Sequence, residues 1–355
     1  MKLRLAVVAL LFASAACATA RTPAAPGAPG ATAPDMVITR AETVRLLTAL
    51  ADDSMEERRT LTPGEVRAAR FIAGEFAALG LQPAGGDSGY YQWVPLVQVR
   101  RRNGAIGYGY PAPGVLDTIA KEKIRDGRNI IARLEGSDPV LKQEVILVDA
   151  HYDHLGVGRP VNGDSIYNGA DDDASGVVTV LQVARAMTAG PRPKRTILFA
   201  TFTGEEMGLL GARWFVDHPT VSLGQIVANL EIEMIGRPDS LAGGPGKAWL
   251  TGYERSTMGD LLAANGIPII HDPRPDQQFF QRSDNYALAT RGIVAHTLSS
   301  FDLHEDYHAP TDDVSRVDFD HMTAVIRATA QAVGLLANGP TPAWHPGGRP
   351  EAGSR

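Results

Sequence analysis

Hydrophobic residues along this chain fall into two kinds of pattern. Five runs are short and nearly continuous: NIIARL (129–134), EVILVDA (144–150), RTILFATF (195–202), IVANLEIEMI (226–235) and GIVAHTL (292–298). Runs of this length, rich in Ile, Val and Leu, read as strands buried on both faces. Other apolar positions recur at helical spacing over roughly 175–189, 207–218, 254–264, 283–290 and 318–337. An earlier helix starts at Thr62-Pro63-Gly64-Glu65, with Thr62 as cap, Pro63 at the first position and Glu65 closing a capping box. It runs through FIAGEFAAL and stops at Gly80. Alternating strands and helices predict an α/β fold, a largely parallel sheet with helices on both faces. In such folds the site lies outside the carboxyl ends of the strands.

Those ends carry the chemistry. His151-Tyr152-Asp153-His154 follows EVILVDA, and Thr203-Gly204-Glu205-Glu206 follows RTILFATF. Glu233 closes IVANLEIEM, and the segment with His304 and His308 follows GIVAHTL. The loop after His151 also holds Asp171-Asp172-Asp173, leading into a helix through Ala174-Ser175-Gly176. Four strands thus deliver His or carboxylate at one edge. Hydrolysis by a pair of zinc ions needs such a set. Two cations about 3.5–4 Å apart require a bridging carboxylate, and a separate carboxylate must take the proton of the attacking water. The adjacent Glu205-Glu206 suits that division of labour.

Five blocks together resemble the M28 metallopeptidases: HYDHLG (151–156), YNGADDDASG (167–176), FTGEEMGLLG (202–211), EMIGR (233–237) and LHEDYHAPTD (303–312). With TLTPGEVRAARFIAGEFAALGLQPAG (60–85) the resemblance extends over about residues 40–335. It implies a three-layer αβα sandwich around a mostly parallel mixed sheet. It also implies an exopeptidase with two zinc ions, acting on peptides or small proteins. His151, Asp172, Glu206, Glu233 and His308 match the family's metal ligands. Asp172 bridges; one ion sees Glu206 and His308, the other His151 and Glu233. Glu233 stands where many members carry Asp. Glu205 matches the general base, and Asp153 the carboxylate that orients His151. The stretch 90–128 is too short for the protease-associated domain of some members, so one catalytic domain is expected over 37–338.

Several other readings of the same residues compete. His304-Glu305-Asp306-Tyr307-His308 is a literal H-E-x-x-H, the mark of a single-zinc helix. Here it follows a strand and loop and runs into Pro310, against a helix. Asp171 and Asp173 could form a solvated loop or a calcium site. His304 reads as structural or near the pocket rim, and His271 and His296 as structural. His154 and Tyr152 could contact substrate or merely pack beside the site. Asp284 is either a support for the site or a helix cap. Tyr286 and Tyr307 are candidates to stabilise an oxyanion. The catalytic set does not fix the end at which peptides are cut. Arg237, Arg274 and Arg282 keep a carboxypeptidase open beside the aminopeptidase. A one-zinc glutaminyl cyclase-like acyltransferase and a non-catalytic binding protein are further alternatives.

Composition narrows the setting. The 355 residues carry a net charge of -6 and no dense basic stretch, against nucleic acid or anionic membranes as partners. The single cysteine, Cys17, excludes a disulfide framework or a thiolate zinc cluster in the body. Lys2, Arg4 and the apolar Leu5 to Phe12 read as a signal peptide over 1–20, too short to span a bilayer. Ser14-Ala15-Ala16-Cys17 suggests a lipoprotein anchored at Cys17, and Ala18-Thr19-Ala20 a cleavage site for free secretion. Residues 21–36 form an Ala/Pro/Gly-rich tether, and 339–355 are expected to be unstructured.

Overall fold

The computed structural model describes residues 37–55, 58–100, 104–111 and 114–351, and in it the five apolar runs become strands of one sheet. The leader over 1–20, Cys17 and the tether over 21–36 lie outside the described residues. In chain order the strands are β1 (Gln82–Pro83), β2 (Tyr91–Arg100), β3 (Ile106–Gly109), β4 (Arg125–Leu134), β5 (Val145–His151), β6 (Gly156–Val161), β7 (Asp164–Tyr167), β8 (Thr196–Phe202), β9 (Ile226–Ile232), β10 (Ala248–Leu250), β11 (Ile269–His271) and β12 (Ala295–Ser299). The sheet order is β11-β10-β12-β9-β5-β8-β4-β2-β3, with β1 on β4, while β6 and β7 form a separate hairpin. The centre, β12-β9-β5-β8, is parallel, and β4, β2 and β3 continue it antiparallel. The expected mixed sheet is present, its parallel part concentrated where the chemistry lies.

The helices are α1 (Arg40–Leu50), α2 (Pro63–Ala78), α3 (Gly176–Ala189), α4 (Leu210–Asp217), α5 (Met258–Ala264), α6 (Asn285–Ala289) and α7 (Phe319–Asn338). Side chains alternate between the faces of each strand. Ile146, Val148 and Ala150 of β5 therefore join one core with α1, α2, α3 and α7, while Val145 and Leu147 join another with α4 and α6. This is a helix–sheet–helix sandwich. Each fully buried aliphatic side chain in these layers contributes roughly 1.5–3 kcal/mol.

Helix α2 starts as its sequence indicates, with the Thr62 hydroxyl accepting from Glu65 N, and it ends at Gly80 in a left-handed conformation. Its capping box is not closed in the expected way. The Glu65 carboxylate is fully buried and accepts from Leu61 N at 2.7 Å and from the hydroxyls of Tyr152 and Thr203, each at 2.9 Å. Two buried hydroxyls need an acceptor, and that need pulls Glu65 inward to support the loops after β5 and β8.

The carboxyl-terminal stretch also departs from expectation. Its described part, up to residue 351, packs against the domain. Trp344 pairs with Ser256, donates its indole N–H to Gly292 O at 2.9 Å and meets Phe280 edge-on. Arg195 reaches Gly339 O at 2.6 Å and Thr341 Oγ1 at 2.9 Å. One aromatic anchor and one buried guanidinium outweigh a composition rich in Pro and Gly.

Candidate metal centre

The edge where the parallel strands end gathers the predicted residues. His151 is the last residue of β5, Glu205 and Glu206 follow β8, Glu233 follows β9, and His308 lies in the turns after β12. Asp172 comes from the turn that enters α3. Its carboxylate faces His151 Nε2 at 3.2 Å through one oxygen and His308 Nε2 at 3.1 Å through the other. His308 Nε2 is also 3.3 Å from Glu206 Oε2. Two groups have all their ligand atoms within 4.8 Å of one another: His151, Asp172 and Glu233, and His154, Asp172 and Glu206. Asp172 belongs to both.

The three aspartates of the triplet have separate tasks. Asp171 accepts from Gly236 N at 2.6 Å and stands 3.0 Å from His304 Nε2. Asp173 accepts from Met234 N and Gly176 N, both at 3.0 Å. Asp312 accepts from the backbone N–H groups of Asp171 and Asp172, each at 3.0 Å. The outer two acids are therefore spent on backbone donors, and only Asp172 turns to the cluster. Gly169 begins this turn with a φ of +56°, and a Cβ there would lie 2.6 Å from the His154 ring. Only glycine fits both the conformation and the space.

Asp153 divides its contacts between His151 and the Glu205 loop. His151 Nδ1 donates to the Asp153 backbone carbonyl at 3.1 Å, and the carboxylate is farther away at 3.7 Å. That carboxylate instead accepts from Glu205 N at 3.1 Å and from the Thr60 hydroxyl at 3.0 Å. It fixes the loop bearing Glu205, while its main chain sets the His151 tautomer and leaves Nε2 with a free lone pair.

His154 proves to be part of the cluster. It is fully buried, with Nδ1 3.0 Å from Glu206 Oε1. The strand-end rule applied to the whole H-Y-D-H block would have found it; Tyr152 does pack, its hydroxyl lying 2.9 Å from Glu65 Oε1 and 2.7 Å from Arg128 O with one proton to share between them. Asp312 and Thr60 were also not anticipated, and no local motif marks them. His304 sits behind Asp171 rather than in the cluster, and its segment forms turns instead of a helix, which removes the single-zinc H-E-x-x-H arrangement. His296 is structural, as expected: its nitrogens meet Thr251 O and Ser256 Oγ, each at 2.7 Å. His271 stacks on Tyr253.

Asp284 is not a helix cap, since its side chain makes no capping bond to α6. It is buried with both oxygens unpartnered among the described residues, beside Glu231 and Asp149 two residues back along the strands. Burial and the neighbouring Glu231 push the carboxyls of Asp149 and Asp284 well above the usual range. Of the two tyrosines, Tyr307 lines the pocket beside the cluster and stacks on His308, whereas Tyr286 is buried in the core against Phe280.

The donor set suits a metal pair. His151 Nε2, both His154 nitrogens and Glu206 Oε1 are buried without a hydrogen-bond donor or acceptor of their own. Neutral imidazoles and carboxylates are zinc ligands, and buried lone pairs facing one another are costly until a cation sits between them. Until one does, protons take its place: against the pull of burial, Asp172 and Glu206 raise His308 to about 10, and Asp172, though buried, is held well below the ordinary carboxylate range by His151, His154 and His308. Burial raises Glu233 to about 8, helped by Glu231. Burial, together with Glu233 and Glu206, pushes Glu205 well above its usual range, against the pull of His151.

A family model, peptidase family M28, matches residues 129–333. The chain belongs to peptidase family M28. Among relatives, a "Probable leucine aminopeptidase 2" of Aspergillus fumigatus is 29% identical over 234 residues, 59% of this chain and 44% of that protein. A vacuolar membrane protease of Tuber melanosporum is 37% identical over 111 residues, 30% of this chain and 10% of that one. The chain spans half or less of the length of these relatives. Among solved structures, a zinc aminopeptidase from Bacillus subtilis superposes with a TM-score of 0.63 at 13% identity, covering 85% of this chain and 96% of that one. The glutaminyl cyclase of Porphyromonas gingivalis superposes with a TM-score of 0.59 at 15% identity, covering 84% and 98%. At these identities the likeness is one of fold. The M28 match contains every cluster residue but stops short of Arg58, Thr60 and Glu65 at the amino-terminal side. Arg58 is buried and donates to Tyr152 O at 3.1 Å, Leu50 O at 2.8 Å and Gly169 O at 2.8 Å, and also to Asn168 O.

Proposed function

We propose that this M28 chain is a two-zinc aminopeptidase, exported from the cell. The observation that carries this reading is a recessed pocket beside the cluster. It is lined by the apolar Trp249, Phe279, Phe301 and Met234, by the acidic Asp172, Glu205 and Glu233, and by Arg282 at the edge it shares with an open groove. An apolar side chain fits the aromatic wall, and a free ammonium is drawn to the acidic side. A terminal carboxylate would be repelled by Asp172, Glu205 and Glu233 inside the pocket, which disfavours a carboxypeptidase; Arg282 stands at the junction with the groove. Arg237 and Arg274 give that alternative no support, being held by Asp306 at 2.6 Å and by Asp239 at 2.5 and 3.0 Å.

Two bound zinc ions would lower the pKa of a shared water and polarise the scissile carbonyl. His151, Asp172 and Glu233 would hold one, and Asp172, Glu206 and His308 the other, with His154 against Glu206. Glu205 takes the water's proton and passes it to the leaving amine. Its backbone is pinned by Asp153, which holds the carboxyl where it can accept and release that proton. A cyclase-like acyltransferase needs one zinc; the second donor group around His151 favours the peptidase. The leader-like start supports export, either as a lipoprotein anchored at Cys17 or by cleavage after Ala20.

The test is metal analysis joined to an assay with free and amino-blocked leucyl substrates. The expected result is two zinc ions per chain and hydrolysis only where the amino group is free. Glu205→Gln should keep both ions and lose about 10²–10⁴-fold in turnover. One ion per chain, or equal hydrolysis of blocked substrates, rejects the proposal.

A further inference from the structure

Of the three arginines near the site, Arg282 alone has no carboxylate within ion-pair distance among the described residues. Its guanidinium lies over the Phe279 ring, 4.9 Å from the centroid, and the residue is exposed. Stacking on an aromatic face holds the planar group in place without using its N–H donors. Arg282 lines the recessed pocket, and it also lines a second, open groove formed with Glu205, Glu206, Gly208, Leu209 and Gln281. Glu205 and Arg282 are the only residues common to both. The groove and the pocket therefore meet at the proposed base, with a free guanidinium beside it.

On the aminopeptidase reading, the scissile bond lies at this junction. The amino-terminal residue fills the pocket, and the released part lies in the groove. We infer that Arg282 binds the main-chain carboxylate of the residue released, so that the enzyme favours dipeptides. In a dipeptide that carboxylate is only one residue beyond the scissile carbon, about 3.5 Å along the chain. A planar guanidinium can meet it with two parallel N–H···O bonds. Longer peptides still pass along the open groove, but they present a neutral amide at this point. Phe279 connects the two halves of the site, forming the aromatic wall of the pocket and the platform for Arg282.

The inference rests on the aminopeptidase reading for the direction of the substrate, so its test is a binding measurement independent of turnover. In the zinc-loaded Glu205→Gln protein, titration calorimetry compares Leu-Leu with Leu-Leu-amide. The free carboxylate should bind about five- to tenfold more tightly, as expected of one charge-assisted contact at a partly exposed site. In Glu205→Gln/Arg282→Ala the two ligands should bind equally, and in Glu205→Gln/Arg282→Lys part of the preference should return. Equal binding in the Glu205→Gln protein, or a preference that survives Arg282→Ala, overturns the assignment. The preference without any hydrolysis by the parent enzyme would uphold the carboxylate site and reject the aminopeptidase.

Discussion

His151 and His296 are both fully buried, and each gives its Nδ1 proton to a backbone carbonyl, of Asp153 and of Thr251. Their other nitrogens differ. Nε2 of His296 accepts from the Ser256 hydroxyl, while Nε2 of His151 meets only the lone pairs of Asp172. The carboxylates repeat the contrast. Glu231 accepts from Asp284 N at 3.0 Å, Asn285 N at 2.8 Å, Thr297 Oγ1 at 2.7 Å and the Ser283 hydroxyl. Glu233, two residues along, joins His151 and Asp172 in a group of acceptors. A buried polar group supplied with donors holds the fold together. One that faces other acceptors is waiting for a cation.

This contrast can be broken most severely at Asp172. Asp172→Ala should empty both metal positions and lower activity at least about 10⁴-fold, because water then returns toward its bulk pKa. Circular dichroism of the variant should still report a folded chain. A variant retaining one zinc would show that the two positions do not depend on a shared ligand. The opposite experiment is Glu231→Gln. It puts an NH₂ donor in place of one oxygen of an acceptor of four bonds and should cost about 2–3 kcal/mol in urea unfolding, while zinc stays at two per chain. Zinc loss without loss of stability would place Glu231 among the metal-holding residues instead.

The smallest effect concerns pH. Burial pulls His296 down to about 4, so it stays neutral in the folded protein while the unfolded chain titrates near 6.5. The unfolded state then binds more protons on acidification, and stability falls as the pH drops from about 6.5 to about 4. In chelated protein, His296→Gln should remove about 2 kcal/mol of the loss between pH 7 and pH 5. An unchanged slope would show that His296 does not titrate in this window.

Much of this was legible in the sequence. Continuous apolar runs mark strands covered on both faces, and helices α3 and α7 follow their periodicity nearly to the residue. The strand-end rule pointed to the edge of the sheet where the candidate ligands converge. The short outer strands β10 and β11 are three residues each and leave no periodic trace. Glu65 looked like a cap residue because its buried partners, Tyr152 and Thr203, are distant in sequence. Asp153 meets His151 Nδ1 through its main-chain carbonyl at 3.1 Å and more distantly through its carboxylate at 3.7 Å, a division that spacing alone does not specify. His154 was undervalued because a motif match names the family's common ligands and is silent about the rest.

The Arg58 guanidinium touches four carbonyls, drawn from α1, the loop after His151 and the turn before Asp172. Transplanting residues 129–333 alone into another scaffold would leave three of those oxygens, of Tyr152, Asn168 and Gly169, without their cation. The amino-terminal helices thus set a limit on modularity: the peptidase segment can be exchanged among relatives only together with an arginine of equal reach.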